Sequence, residues 1–103
     1  MPQFILSHRF PKDFAGSPET AASAKAYFEA IGANVVSRTD LRLDTRQLGN
    51  CENTVPNAYT IIDVADAEAA VAMASKWNLL SHGGGIEVRG LTTEPFDLGT
   101  PPR

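Results

Sequence analysis

The sequence predicts an α+β domain in which a four-stranded antiparallel sheet carries two helices on one face. Three observations predict it. Short stretches that are apolar, rich in Val and Thr, or alternating occur four times, two segments carry apolar residues at helical spacing, and their order is strand, helix, strand, strand, helix, strand. This is the ferredoxin-like βαββαβ split arrangement.

The first strand is read from Gln3 to His8, where Phe4, Ile5 and Leu6 form an apolar run closed by the Pro11 to Gly16 region. Ser17-Pro18-Glu19 then opens a helix: Ser17 can cap it, Pro18 suits the first helical position and Glu19 suits the positive end of the helix dipole. Ala21, Ala24, Phe28 and Ile31 form its apolar stripe, and Gly32 is expected to end it in the left-handed conformation. Residues 33 to 43 read as the second strand and 44 to 57 as a long loop, a length that in a small domain points to function or mobility. Ala58 to Val64 reads as the third strand. Asp66 caps a second helix with Ala67, Ala70, Val71, Ala74 and Trp77 on one stripe, and Gly83-Gly84-Gly85 turns the chain into a last strand from Ile86 to Leu91. Residues 1 to 95 are taken as one domain and 96 to 103 as a C-terminal tail.

Composition narrows the function classes. With 103 residues, 9 Lys and Arg against 12 Asp and Glu, the chain has a formal charge of −3, which argues against nucleic acid and against a polybasic membrane anchor. No apolar run approaches the ~20 residues that span a bilayer, and Met1-Pro2-Gln3 is not the charged start of a signal peptide, so a cytoplasmic location is expected. The single Cys51 can make no internal disulfide, and no pair of residues has metal-ligand spacing, so neither metal nor cofactor is expected. As a nucleophile Cys51 lacks a positive surrounding beyond Arg46.

Two helices on one face leave the other face bare, and it inherits some of Phe4, Ile5, Leu6, Ile61, Ile62, Ile86 and Val88. Two sheets packed face to face in a two-fold homodimer would hide these side chains and enclose a cleft for a small molecule.

Gly84-Gly85-Ile86-Glu87-Val88-Arg89-Gly90-Leu91, following the second helix, resembles the closing segment of the YCII-related (DGPF-type) proteins, a branch of the dimeric alpha+beta barrel superfamily. The resemblance implies the same split fold and a dimer with a cleft between the sheets. Some members place a His on the first helix beside an Asp as an acid/base pair; this first helix has no His, so that pair has no counterpart.

Candidate site residues follow from chemistry. His8, on the same face as Phe4 and Leu6 at a strand end, is an acid/base if that face lines the cleft, and otherwise a strand-end imidazole donating to a carbonyl. Asp40 can orient it, or can simply be one of the charges that guard an edge strand. Glu87 and Arg89 share one side of the last strand, as an ion pair with each other or as a general base and an anion anchor, with Ile86 and Val88 beneath the helices. Tyr59 suits a pocket wall, and His82 a helix-end position or a ligand contact. The glycine run leads from a helix into a strand, the reverse of a phosphate loop, and is read as a turn. Three functions are expected from this set: cofactor-independent proton transfer, of isomerase or lyase type, on a small polar or aromatic metabolite; noncatalytic binding by a regulatory dimer; or a structural oligomer without a ligand.

Overall fold

The computed structural model describes residues 2–42, 44–51 and 54–92. Its elements are β1 (Gln3–Pro11), α1 (Pro18–Ile31), β2 (Val35–Asp40), β3 (Thr54–Asp63), α2 (Ala67–Ala74) and β4 (Gly85–Gly90). Three-residue and five-residue 3-10 turns follow α1 and α2, over Gly32–Asn34 and Asn78–His82. The strands form one antiparallel sheet in the order β2-β3-β1-β4. Each helix thus connects two strands that have a third inserted between them, an arrangement compatible with a ferredoxin-like fold. The expected tail at 96 to 103 lies outside the described residues. Among those described, no helix is long and apolar enough to cross a membrane.

The caps form as their residues require. Ser17 accepts from the Thr20 amide while the Thr20 hydroxyl accepts from the Ser17 amide, a reciprocal capping box, and Asp66 accepts from the Ala69 amide. Gly32 does not take the expected left-handed conformation. Its φ of −54° carries the chain into the following 3-10 turn, and its amide returns to the Glu29 carbonyl. A left-handed glycine appears instead at Gly83, φ 85°, which ends the turn before β4. β3 begins at Thr54, earlier than expected, because Thr54, Val55 and Pro56 pair with Pro11, Phe10 and Arg9 at the extended end of β1 rather than looping out.

Cross-strand register decides what each face carries. Leu6 lies between Thr60 and Val88, and Phe4 between Ile62 and Gly90. Leu6, Ile62, Val64, Ala70 and Ala74 are buried together, with Phe4, Ile86 and Val88 packed against them. A second cluster joins Tyr27 and Ile31 of α1 to Trp77 and Leu79. The opposite, uncovered face carries Ile5, Ser7, Arg9, Tyr59, Ile61, Glu87 and Arg89. Of the apolar residues expected to share that face, only Ile5 and Ile61 do so, since Phe4, Leu6, Ile62, Ile86 and Val88 form the richer stripe and are the ones the helices cover.

The turn into β4 is tight at one position. A Cβ on Gly84 would stand 2.8 Å from the Leu79 carbonyl oxygen and 3.0 Å from that of Arg9, whereas one on Gly85 would meet nothing within 4 Å. Gly84→Ala should therefore cost about 1–3 kcal/mol in urea unfolding while Gly85→Ala stays within about 1 kcal/mol of wild type. Equal stability of the two variants would refute this packing of the turn.

Candidate functional site

Period-two alternation puts His8 on the face of Leu6, and the register puts that face under the helices. His8 is fully buried, not exposed at a cleft. Its ring stands 5.0 Å from Trp77, 5.1 Å from Phe28 and 5.6 Å from Tyr27, and Nε2 is hydrogen-bonded to the Tyr27 hydroxyl at 2.9 Å. Burial drives its pKa from 6.5 down to about 4, with Arg38 adding to the shift. The backbone of Ala58 and Leu6 opposes it without closing a well-formed bond to Nδ1, which has no partner among the described residues. Burial likewise raises the Tyr27 hydroxyl to about 12. At neutral pH the pair is an uncharged core hydrogen bond.

Asp40 shares the covered face with His8, but Ala58 of β3 stands between them in the same cross-strand row. The Asp40 carboxylate takes the Arg38 guanidinium at 2.9 Å, so the expected His8–Asp40 pairing does not form. Arg38 in turn lies 3.7 Å over the Phe28 ring. Phe28 therefore separates the buried imidazole from the charged edge of the sheet.

In front of Phe28 an open groove of about 470 Å³ runs between α1 and β2, walled by Ala21, Ala24, Lys25 and Glu29 on the helix and by Arg38, Asp40, Asn57 and Ala58 on the sheet. It exists because Ala21, Ala24 and Ala58 are too small to fill the space between helix and strands. A second, more apolar hollow of about 500 Å³ shares Ala21, Ala24 and Asn57 and extends past Phe10, Phe14 and Leu79. Asn57 stands at their junction for a specific reason. The β1–β3 register slips between His8, opposite Ala58, and Arg9, opposite Pro56, so Asn57 is the extra residue of a bulge. Without the bulge, alternation from Ala58 would aim Asn57 at the uncovered face. With it, Asn57 lines the groove, and its Oδ1 is buried beside it with no hydrogen-bond partner among the described residues.

The other expected site residues lie elsewhere. Tyr59, Glu87 and Arg89 are on the uncovered face, where Ser7 separates Tyr59 from Glu87. Glu87 pairs with Arg9 across the strands at 3.6 Å rather than with Arg89. Arg9 is held in turn by the Thr54 hydroxyl and carbonyl at 2.9 and 3.0 Å. Arg89 has no ion pair among the described residues. His82, exposed at the end of the second 3-10 turn, joins neither group. Reading the sequence alone missed Asn57, Arg38, Phe28 and Tyr27; the signal for the first was Pro56, a residue that strands tolerate chiefly at edges and bulges.

No family model, curated protein or solved structure matches this chain.

The buried imidazole ties stability to pH. Between about pH 4 and 6.5 the unfolded chain holds a proton on His8 that the folded chain does not. Stability is therefore fully present above pH 6.5 and falls as pH drops toward 4, by about 3 kcal/mol in total. Urea unfolding from pH 4.5 to 7.5 should show this slope, and His8→Gln should flatten it; an unchanged slope would place the linkage elsewhere.

Proposed function

We propose that the protein is a noncatalytic, small-molecule-binding homodimer of the YCII-related type, holding its ligand in the groove between α1 and β2. The observation that carries this reading is the groove itself, at whose wall the bulge places Asn57 with its carboxamide oxygen buried and without a donor among the described residues. A buried acceptor without a partner costs about 1–3 kcal/mol, a penalty that a ligand N–H or O–H would relieve once the carboxamide turns toward the groove. The rim is charge-balanced: Arg38 is paired with Asp40, and Lys25 approaches Glu29 at 4.0 Å. This favours a neutral or zwitterionic molecule whose flat or apolar part lies against Ala21, Ala24 and Phe28 and whose donor meets Asn57.

Binding is favoured over proton-transfer catalysis because the imidazole that would move a proton lies behind Phe28, away from the groove and from the uncovered face. The homodimer is proposed to form through that uncovered face, where Ile5 and Ile61 sit side by side with the partly exposed Tyr59. Pairing two such faces would remove this apolar strip from water and would set Tyr59, Arg89 and the Arg9–Glu87 pair around the contact.

Thermal-shift screening of small polar metabolites tests the site. A compound that stabilises wild type should give no shift with Asn57→Leu, and that variant should itself be no less stable than wild type because it removes an unsatisfied acceptor. A hit retained by Asn57→Leu would move the site, and turnover of the hit would restore the enzyme reading. For the dimer, Ile61→Arg should abolish face-to-face association, read as intersubunit distances between spin labels on the uncovered face; an unchanged distance distribution would refute that contact.

A further inference from the structure

β4 is an edge of the sheet, with β1 on one side and no strand on the other among the described residues. Long unguarded edges invite pairing, and proteins usually blunt them. Here the edge is six residues bounded by Gly85 and Gly90, and the two charges between the glycines are of opposite sign.

The ladder to β1 fixes which groups face outward. The Leu91 amide donates to the Gln3 carbonyl at 3.1 Å, and the β1–β4 register runs without a slip. In an antiparallel ladder the bonded positions alternate, so Gly85, Glu87 and Arg89 direct their amides and carbonyls to β1, while Ile86, Val88 and Gly90 direct theirs to the free edge. A second β4 can add antiparallel only if these outward positions meet outward positions. Two such registers overlap the strands most fully. One sets Glu87 opposite Glu87 of the second copy, a like-charge pair that opposes association. The other places a two-fold axis at Val88, so that Val88 meets Val88, Ile86 meets Gly90, and Glu87 meets Arg89 of the second copy, twice by symmetry.

We infer that β4 is a self-complementary docking edge for a second copy of this chain, joined antiparallel about Val88 into a continuous eight-stranded sheet. Charge selects this register over its neighbour. The covered side of the sheet agrees with it. An apolar hollow of about 360 Å³ beside β4 is lined by Val71, Ala74, Leu80, Ile86 and Val88, and Val71 and Leu80 are 54% and 40% exposed. A two-fold axis perpendicular to the sheet at Val88 brings two such hollows side by side and shields both exposed residues. Glu87 remains available, since its side chain is 58% exposed and its contact with Arg9, at 3.6 Å, is loose.

The contact is tested apart from the face-to-face dimer by working in the Ile61→Arg protein, whose uncovered face is blocked. Sedimentation equilibrium should find that protein dimeric. Adding Glu87→Arg or Arg89→Glu should weaken the dimer about ten-fold or more, toward the monomer mass, because each sets like charges opposite one another twice. Combining the two should restore the dimer, because the opposite signs then meet again. A monomeric Ile61→Arg protein, a dimer indifferent to either single reversal, or a doubly reversed protein as dissociated as the single ones would each overturn the inference. Far-ultraviolet circular dichroism spectra of all variants should match, since both side chains are exposed and the fold does not depend on them.

Discussion

The pairing of β1 with β3 is the constraint on which the rest of the molecule depends. It aligns Leu6 with Thr60 and Phe4 with Ile62, and so commits one set of alternating side chains to the helices and the other to the open face. Because the side-chain period of a strand is two, a slip by one residue would exchange the faces along the whole strand. The slip that does occur comes past His8, where the apolar stripe is already buried. There it costs no core contact and turns one side chain, Asn57, to the other side.

The same boundary explains the polar content of the interior. His8 is the last residue of β1 before the bulge, and the space above it is filled by aromatic rings of α1 and by Trp77 from the segment after α2. A charged imidazole has no place there, and a neutral one needs a partner, which Tyr27 supplies. The histidine thus fixes the height of α1 above the sheet at one end. Toward its N-terminus α1 meets the sheet through alanines, and the groove opens where packing runs out of volume. A buried polar pair and an under-filled helix contact are therefore neighbours for the same reason.

The uncovered face and the β4 edge make different demands on a second copy. The face offers the half-buried Ile5 and Ile61 and part of Tyr59, a narrow apolar strip between charged residues, and association there depends on shape and area. The edge offers main-chain groups whose register is set by β1 and whose sign pattern is set by Glu87 and Arg89. Use of both would build an assembly of two-fold contacts around separate axes.

Element order, both helix N-caps and the placement of Ile86 and Val88 beneath the helices were legible in the sequence, because capping and alternation are local properties that a short window carries. The faces of β1 were not, since Phe4-Leu6-His8 and Ile5-Ser7-Arg9 are both plausible inward sets until the strands on either side are aligned. Nor were the partners of Glu87 and Asp40, which depend on neighbours far away in the chain: Arg9 reaches Glu87 across the sheet, and Ala58 stands between Asp40 and His8. Tertiary structure alone decided that His8 belongs to the core and Asn57 to the groove, because both outcomes turn on a single inserted residue in a ladder between strands about fifty positions apart.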